Sequence, residues 1–251
     1  MAARIRMRTA TKDASEKRIL IVIPALNEGE RITAVIQQVR KEVPEGQVLV
    51  VNDGSSDQTE QKALVSGAKV LSHPFNMGYG AALQTGYKYA LKYGFDYVLQ
   101  MDGDGQHDPH YLRALLEEVA EGKADVVIGS RFLGGGKYHV PLFRRMGMLL
   151  FGFIASRLCG QRITDPTSGY QALCRQTIEF CTGDVFPRDY PDADVLVMFH
   201  RAGFRIQEIP VGMHPNLKGR SMHNGLKPLY YIYKMLLSIT LNLLRSNKVY
   251  V

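Results

Sequence analysis

The sequence predicts an α/β fold whose central sheet is mainly parallel and covered by helices on both sides. Short apolar runs of strand length alternate with segments whose apolar residues recur at helical spacing. The runs are apolar at consecutive positions, as expected of strands that are buried on both faces. Polar or glycine-rich residues follow each run, and α/β proteins bind ligands at such strand ends.

The elements can be assigned in order as far as residue 129. The predicted strands are Arg18–Pro24, Gln47–Asn52, Lys69–Ser72, Tyr97–Met101 and Asp125–Gly129. The predicted helices are Glu28–Val43, Thr59–Ser66, Gly80–Tyr93 and Pro109–Glu121. Asp108 and Pro109 fit the N-cap and the first position of the last of these helices. This alternation of strands and helices is typical of parallel sheets.

An acidic cluster follows the fourth strand, at Asp102, Asp104 and Gln106. If the backbone stays extended there, these three side chains project from one side of the chain because they are two residues apart. Two carboxylates and an amide oxygen are hard ligands that favour Mg²⁺ or Mn²⁺ over zinc or copper. Gly103 and Gly105 leave room for a large anion such as a diphosphate. The alternative is a polar turn, since Asp and Gly are typical turn residues.

Polar loops also follow the first three strands, at Ala25–Glu28, Asp53–Asp57 and Asn76–Gly80. Because the carboxyl ends of parallel strands meet at one edge of a sheet, these loops and the acidic cluster predict a single binding site. The chain lacks the G-x-x-x-x-G-K-[ST] and G-x-G-x-x-G motifs. Their absence argues against a P-loop NTPase and a dinucleotide-dependent enzyme.

The composition predicts one globular domain with an anionic partner. The chain has 251 residues, 45% of them apolar, and a net charge of +7. No nucleic-acid-binding motif accompanies this charge, so nucleic acid is not the expected partner. Cys159, Cys174 and Cys181 form no C-x-x-C pair, which is typical of buried thiols in a reducing compartment. Residues 1–17 are basic and have no apolar core, which predicts a disordered leader and not a secretory signal.

Two later segments are apolar enough to contact a membrane. Pro141–Leu158 begins with Arg144 and Arg145 and continues with mostly apolar residues. It is too short to span a bilayer, which needs about 20 apolar residues, but it can lie in the bilayer surface. Leu226–Leu244 is similar, with basic residues among Tyr, Leu, Ile and Met. Core or oligomer-interface helices are the alternative for both segments.

Six motifs in fixed order resemble the family-two glycosyltransferases, which have a GT-A fold. Between Ile19 and Ser221 these motifs are IPALNEGERI, VVNDGSSDQT, NMGYGAALQTGY, MDGDGQHDP, IGSRF and DPTSGYQAL. Within that family the chain is most similar to dolichyl-phosphate and polyprenyl-phosphate mannosyl- and glucosyltransferases. Many of these relatives continue into transmembrane helices, whereas this sequence stops at Val251. We therefore expect membrane contact to be peripheral or to depend on a membrane-protein partner.

The resemblance implies a set of residues that bind the nucleotide-diphosphate sugar. They are Pro24, Ala25, Asn27, Glu28, Asp53, Asn76, Gly78, Asp102, Gly103 and Arg131. Asp102, Asp104 and Gln106 would hold the divalent metal, Mg²⁺ or Mn²⁺, against the donor diphosphate. The motifs do not distinguish uracil from guanine as the donor base.

The resemblance also implies an acceptor side. The implied acceptor-binding residues are Arg131, Arg144, Arg145, Asp165, Ser168, Arg220 and Ser221. For Arg131, a bond to a nearby carbonyl or carboxylate is the alternative to a phosphate. Catalysis would involve Asp102 and Asp104 together with Asp192 or Asp194, one of which would face the reacting sugar.

We therefore expect an inverting, metal-dependent glycosyltransferase that moves a hexose from a nucleotide-diphosphate sugar to a polyprenyl phosphate. One alternative acceptor is a sugar hydroxyl on a growing polysaccharide. Another class of protein, a catalytically silent nucleotide-sugar-binding subunit, is disfavoured by the intact set of Asp102, Asp104 and Gln106. The expected organisation is a GT-A domain over residues 18–224 and an amphipathic helix over residues 225–251. We expect the protein to lie in the cytoplasm and to bind peripherally at the inner face of the membrane. A homo-oligomer is compatible with these expectations.

Overall fold

A seven-stranded sheet forms the centre of the computed structural model, which describes residues 17–133, 142–214 and 227–245. Side chains are described in these ranges except at residues 142–144 and 227–229. The strands are β1 (Ile19–Ala25), β2 (Gln47–Asn52), β3 (Lys69–Ser72), β4 (Tyr97–Gln100), β5 (Val126–Ser130), β6 (Gln171–Cys174) and β7 (Ile206–Pro210). Their spatial order is β3-β2-β1-β4-β6-β5-β7. Only β6 is antiparallel to its neighbours, so the predicted mainly parallel α/β sheet is confirmed.

Helices connect and cover these strands. They are α1 (Ile32–Glu42), α2 (Thr59–Val65), α3 (Tyr79–Lys92), α4 (Leu112–Ala120), α5 (Leu142–Cys159), α6 (Arg175–Cys181), α7 (Ala193–Arg201) and α8 (Lys227–Leu244). A 3₁₀ turn, Pro109–Tyr111, precedes α4, and the Asp108 carboxylate accepts the His110 N–H there at 3.0 Å. The predicted Asp-Pro cap is therefore present, although a 3₁₀ turn and not an α-helix follows it.

Alternate residues of β1 enter two separate cores, one on each face of the sheet. Leu20 and Val22 are buried in the core that includes Leu83 of α3. Ile21 and Ile23 are buried in the core that includes residues of α1 and α4. The period-two geometry of a strand explains this division, because successive side chains point to opposite faces. β1 therefore packs against helices on both faces of the sheet.

Two predicted features of the fold were wrong in detail. The first helix begins at Ile32 and not at Glu28, because the Glu28 carbonyl oxygen accepts the N–H groups of Arg31 and Ile32 in a preceding turn. The prediction that every strand is buried on both faces fails for β3, whose residues are partly or fully exposed. β3 lies at the edge of the sheet, and edge strands commonly carry exposed polar residues such as Lys69.

Helix α3 approaches β1 closely at Gly86. A Cβ atom at this position would lie 2.5 Å from Cγ1 of Val22, which is too close for any side chain. The missing side chain allows the helix to rest directly on the strand. This contact fixes the position of the amino end of α3, which enters the site described below.

Helix α8 packs against α7 and is part of the folded chain. Met235, Ile239 and Asn242 of α8 are buried. The Arg201 guanidinium donates to the carbonyl oxygens of Asn242 and Arg245, the latter at 2.8 Å. A domain boundary between residues 224 and 225 stays a prediction, and residues 1–16 of the expected leader lie outside the described residues. None of the described helices has the length and hydropathy that a membrane-spanning segment needs.

A buried ion pair joins the end of β5 to the loop before β6. Arg131 Nε and Nη2 donate to the two carboxylate oxygens of Asp165 at 2.7 and 2.6 Å. The side chains of Arg131 and Asp165 are only 6% and 0% exposed. Glu208 of β7 accepts the N–H groups of Thr164 and Asp165, which extends the network to a third strand. Such a bidentate pair fixes both groups in position.

We expect Asp165→Ala to destabilise the protein by about 3–5 kcal/mol, because it leaves the Arg131 charge buried without its carboxylate. The matched control is Glu45→Ala, which breaks an ion pair with Arg113 whose two side chains are 44% and 42% exposed. Exposed pairs contribute below about 1 kcal/mol. Urea denaturation followed by circular dichroism measures both changes. Equal losses in the two variants would show that the Arg131–Asp165 pair has no special role in stability.

Candidate active site

The acidic loop Asp102–Asp108 begins directly after β4 at the centre of the sheet. The loop is not extended as predicted, because a turn at Gly103–Gly105 follows Asp102 and Gly105 has a φ of +76°. The Gln106 N–H donates to Asp104 Oδ1 at 2.9 Å, which closes the turn. The geometric reason given for convergence of Asp102, Asp104 and Gln106 was therefore wrong, and the alternative of a polar turn is what the structure has. The turn still brings the charges of Asp102 and Asp104 close enough to affect each other.

His107 holds this loop in place, a role that the sequence did not reveal. Its Nδ1 accepts the Asp102 N–H at 2.9 Å, and its Nε2 lies 3.7 Å from Asp102 Oδ2. The imidazole stacks on Tyr170 with ring centroids 4.8 Å apart. The Tyr170 hydroxyl donates to the Asp108 carbonyl oxygen at 2.8 Å. These contacts fix both ends of the acidic loop through His107 and through Tyr170, the residue just before β6.

The two carboxylates of the loop have an electrostatic environment that suits a cation. Burial and the charge of Asp102 raise the pKa of the Asp104 carboxyl, and the positive charge of Arg31 opposes this effect. A divalent cation between the two groups would offset their repulsion. The described residues contain no group of three or more His, Cys, Asp or Glu side chains suited to a metal. One or two carboxylates completed by substrate phosphates are, however, the usual protein environment of Mg²⁺.

The loops after β1 and β2 are joined by reciprocal hydrogen bonds. The Asn27 N–H donates to Ser55 Oγ at 2.9 Å, and Asn27 Oδ1 accepts the Ser56 N–H at 2.9 Å. Asn27 has a φ of +57°, a conformation that asparagine tolerates better than most residues. A Cβ atom at Gly103 would lie 3.3 Å from the Pro24 carbonyl oxygen and 3.4 Å from Ala25 Cβ. The structure therefore brings Pro24 and Ala25 beside the acidic loop, and Asn27 joins the loop after β1 to the loop after β2.

Glu28 belongs to the same group of loops. Its N–H donates to Thr59 Oγ1 at 2.9 Å, and its carboxylate oxygen Oε2 lies 3.1 Å from Arg31 Nη1. Arg31 is thus paired with Glu28, and its positive charge partly opposes the rise in the pKa of Asp104. The sequence did not single out Arg31, because one basic residue near the start of a predicted helix is common.

Asp53 binds protein groups at both of its carboxylate oxygens. Oδ1 accepts the Met77 N–H at 2.8 Å and lies 2.7 Å from His73 Nδ1. Oδ2 accepts the Gly78 N–H at 3.0 Å, and Asn76 Oδ1 accepts the same N–H at 3.0 Å. A carboxylate has about four acceptor positions, and three are used here. Asp53 therefore orders the loop that contains Asn76 and Gly78, with about one acceptor position left, and its contact with the nucleotide stays a prediction.

The predicted acceptor residues differ in their surroundings. Arg131 bonds to Asp165, which is the alternative considered for it, and Asp165 has no exposed surface. Ser168 is 4% exposed and donates to the Gly129 carbonyl oxygen at 2.6 Å. Asp165 and Ser168 therefore support Arg131 and β5, and neither is placed to contact an acceptor directly. Arg145 is exposed on α5, whereas the Arg144 side chain and the residues Arg220 and Ser221 lie outside the described part of the chain.

The two candidate aspartates at the start of α7 have distinct environments. Asp194 is 1% exposed, and its oxygens accept the Val195 N–H at 2.9 Å and the Ser238 hydroxyl at 2.5 Å. Burial raises the pKa of Asp194, although these hydrogen bonds oppose the effect. Asp194 therefore lies in the first turn of α7 and ties this helix to α8.

Asp192 is the aspartate that is electrostatically linked to the rest of the site. Its Oδ2 accepts the Tyr231 hydroxyl of α8 at 2.7 Å. Burial raises the pKa of Asp192 to about 7, and the charges of Arg131 and Asp102 also act on it. Tyr231 could not be identified from the sequence, because it lies in a different helix and in no motif. A carboxyl group with a pKa near neutrality beside a cleft is a common feature of active sites.

Comparisons with known proteins agree with this geometry. Residues 20–181 match the family model described as glycosyl transferase family 2. Undecaprenyl-phosphate mannosyltransferase of Micrococcus luteus is 34% identical over 216 residues, covering 83% of this chain and 88% of that protein. Polyprenol monophosphomannose synthase of Mycolicibacterium smegmatis is 35% identical over 218 residues, covering 83% and 82%.

A solved structure shows the same fold at low sequence identity. Glucosyl-3-phosphoglycerate synthase from Mycobacterium tuberculosis, in complex with Mn²⁺, UDP-glucose and phosphoglyceric acid, superimposes with a TM-score of 0.69 at 22% identity. The match covers 91% of this chain and 80% of that one. The chain therefore belongs to glycosyl transferase family 2 and is a glycosyltransferase with a GT-A fold.

Proposed function

We propose that the protein transfers a hexose from a nucleotide-diphosphate sugar to a polyprenyl phosphate with inversion at the anomeric carbon. An acceptor phosphate oxygen forms the new bond to the anomeric carbon as the bond from that carbon to the diphosphate oxygen breaks. The nucleoside diphosphate then leaves. The observation that carries the proposal is the pair Asp102 and Asp104 beside the end of β1, whose following loop is hydrogen-bonded to the loop after β2.

Asp102, Asp104 and Gln106 are the residues that would hold Mg²⁺ or Mn²⁺. A bound divalent cation supplies positive charge that stabilises the leaving diphosphate. The similar synthase from Mycobacterium tuberculosis was crystallised with Mn²⁺ and UDP-glucose, which supports a metal in this fold. Gly103 lets the Asp102–Asp104 turn lie against the end of β1, where Pro24, Ala25 and Asn27 would contact the nucleotide. Asp53 would act on the donor by ordering the Asn76–Gly78 loop.

The names of the relatives support a lipid phosphate as the acceptor. Two relatives that are 34% and 35% identical are named for undecaprenyl phosphate and for polyprenol monophosphomannose. A phosphate monoester is largely a dianion at neutral pH, so it can attack without a general base but needs cations to position it. Arg145 is an exposed cation on α5, and Arg144 and Arg220 are the other candidates.

The exposed faces of α5 and α8 support contact with a membrane. On α5 the exposed apolar residues are Met146, Leu149, Leu150 and Phe153, and on α8 they include Tyr233, Leu237, Leu241 and Leu244. The two helices meet where the Phe151 and Tyr231 rings contact each other, with centroids 5.7 Å apart. Contiguous apolar faces beside basic residues are typical of peripheral membrane binding. This α5–α8 surface would bring a lipid acceptor to the protein.

A sugar hydroxyl is the second candidate acceptor, and one observation favours it. A hydroxyl needs a base in the transition state, and general bases work best with a pKa near the operating pH. Burial raises the pKa of Asp192 to about 7, which meets that requirement. The two acceptors therefore predict different consequences of removing this carboxyl group.

We expect Asp104→Asn to reduce transfer to background and to abolish the metal-dependent part of donor binding, because it removes one of two charged ligands. Thermal shifts with UDP- and GDP-sugars, with and without Mn²⁺, measure donor binding. A ligand at 100 times its Kd adds about 2.7 kcal/mol of stability. The matched control is Asp96→Asn, at the opposite end of β4, where the carboxylate accepts the Arg18 N–H. Full activity in Asp104→Asn would refute the proposed metal site.

We expect Asp192→Asn to change kcat with polyprenyl phosphate by less than about 10-fold, since a dianionic acceptor needs no base. A general-base role would instead cost roughly 10²–10⁴ in rate. The measurement is kcat and KM for this variant and for Arg145→Gln. A loss in the larger range for Asp192→Asn, with Arg145→Gln close to wild type, would contradict attack by the phosphate without a base and favour the hydroxyl acceptor, for which a base is required.

The same Asp192→Asn variant should show a pH-dependent gain in thermal stability. The folded-state pKa of Asp192 is about 7 and lies above its unfolded value, so the wild type loses stability from this group as the pH rises from about 4 to 7. The variant lacks this loss, and we expect its Tm relative to wild type to be higher at pH 8 than at pH 5. A Tm difference that does not change with pH would show that Asp192 keeps an ordinary pKa.

We expect the protein to bind anionic liposomes reversibly, with binding that weakens as salt rises, because basic residues near the membrane are screened by ions. The double variant Leu149→Asp, Phe153→Asp should not co-sediment with these liposomes. Leu64→Asp, Val65→Asp adds the same charge on α2, where both residues are exposed, and should bind like the wild type. Binding that is independent of salt, or equal loss in both double variants, would exclude the α5–α8 surface as the membrane contact.

A further inference from the structure

Tyr79 is the first residue of α3, and its phenol reaches the acidic loop. The Tyr79 hydroxyl donates to Asp102 Oδ1 at 2.8 Å. Tyr79 is partly buried and packs against the core on the α3 side of the sheet. It is the only tyrosine among the described residues for which a hydrogen bond to Asp102 or Asp104 is observed. Nothing in the proposed transfer reaction yet accounts for this contact.

The direction of the Tyr79 hydrogen bond is set by a chain of buried groups. The Tyr87 hydroxyl donates to Gln100 Oε1, which directs the Gln100 amide nitrogen the opposite way. Gln100 Nε2 then donates to the Gly169 carbonyl oxygen at 3.0 Å and lies 3.4 Å from the Tyr79 hydroxyl oxygen. Because the hydroxyl oxygen faces a donor, its own proton points toward Asp102. Tyr87 and Gln100 are each 2% exposed, so water does not compete for these bonds.

Backbone contacts prevent the start of α3 from moving away. The Gly78 N–H is bonded to Asp53, and the Ala81 N–H donates to the Arg188 carbonyl oxygen at 2.9 Å. A Cβ atom at Gly80 would lie 2.1 Å from the Pro187 carbonyl oxygen. The loop after β2 therefore fixes the backbone before Tyr79, and the segment before α7 fixes the backbone after it.

Gly169 provides the space that the phenol occupies. A Cβ atom at this position would lie 2.5 Å from the Tyr79 hydroxyl oxygen and 3.4 Å from Asp102 Oδ1. A side chain at residue 169 would therefore displace the phenol from Asp102 while touching Asp102 only at ordinary contact distance. Gly169 does not have a positive φ, so alanine is compatible with its backbone.

We propose that Tyr79 is a positioning residue that fixes the orientation of the Asp102 carboxylate for a divalent cation. The inference rests on the proposed function, because it assigns Asp102 to the metal. Tyr79 holds Oδ1, and His107 holds the backbone N–H of the same residue, so the carboxylate cannot rotate freely. Hydrogen-bonding partners of metal ligands typically change metal affinity by about 10- to 100-fold when they are removed.

The first test is the affinity for Mn²⁺, measured by the electron paramagnetic resonance signal of the free ion. It is performed with Mn²⁺ alone and with the nucleoside diphosphate, UDP or GDP, that gives the wild type the larger thermal shift. We expect Tyr79→Phe to weaken Mn²⁺ binding at least about 10-fold, which corresponds to about 1.4 kcal/mol. Excess Mn²⁺ should restore transfer in Tyr79→Phe but not in Asp104→Asn.

Tyr89→Phe is the matched control on the same helix. It removes the Tyr89 hydroxyl, which accepts a hydrogen bond from Gln47 Nε2 at 3.0 Å. Neither Tyr89 nor Gln47 belongs to the acidic loop. We expect Tyr89→Phe to keep the wild-type Mn²⁺ affinity even if its Tm falls. If Tyr79→Phe also keeps that affinity and loses only Tm, the phenol is structural and the inference is overturned.

Gly169→Ala is a second variant that disturbs the same contact whether or not Tyr79→Phe folds well, and a double-mutant cycle of the two then measures their coupling. Gly169→Ala alone should weaken Mn²⁺ binding, because its methyl group collides with the Tyr79 hydroxyl. In the Tyr79→Phe background that hydroxyl is absent, so the added loss should be smaller, and this coupling identifies the contact. Fully additive losses would overturn the inference.

The effect of Asp104→Asn separates failure of the metal site from failure of the role of Tyr79. Mn²⁺ binding that Asp104→Asn does not weaken would refute the proposed metal site. Mn²⁺ binding that depends on Asp104 but is unaffected by Tyr79→Phe would refute only the role of Tyr79.

Discussion

The site depends on the close approach of two carboxylates, Asp102 and Asp104, at the end of the central strand β4. Burial and mutual repulsion oppose this arrangement, as the raised pKa of Asp104 shows. It persists because groups from other elements hold the loop, among them Tyr79 of α3 and His107 over Tyr170. The fold thus maintains a local concentration of negative charge for which a divalent cation is the natural counterpart.

Helix α8 joins two features that would otherwise be separate. Its inner face donates hydroxyl groups from Tyr231 and Ser238 to Asp192 and Asp194 at the start of α7. Its outer face is apolar and exposed, as is that of the neighbouring α5. If the outer face rests on a membrane, the same helix sets the distance between the lipid surface and the site carboxylate Asp192. Peripheral attachment and orientation of the acceptor would then have one structural cause.

The sequence predicted features that depend on local chemistry and missed those that depend on tertiary contacts. The bounds of β2 and β3 are those predicted, because turn residues delimit both apolar runs. The extended conformation expected after Asp102 was wrong. Gly105 is left-handed and the Gln106 N–H donates to Asp104, and a period-two pattern of side chains predicts neither feature. The antiparallel strand β6 was not predicted, although the recognised motif DPTSGYQAL includes its first three residues. Tyr79 lay inside a recognised motif, but only the folded chain shows that its hydroxyl meets Asp102.

The antiparallel direction of β6 allows one edge of the sheet to form both sides of the proposed site. Parallel strands bring their carboxyl ends to this edge, and β1, β2 and β4 supply the loops of the proposed donor side. Because β6 runs the opposite way, its amino end lies at the same edge, and the Asp165–Tyr170 segment before it meets Asp102 and Arg131. The family model ends at residue 181, before α7, β7 and α8. Asp102, Asp104 and the loops after β1 and β2 lie within the matched residues, whereas Asp192 and the apolar surface of α8 lie beyond residue 181. If the acceptor binds beside Asp192, as proposed, its binding would involve residues outside the stretch that the family model matches, while β4 and its two carboxylates lie inside it.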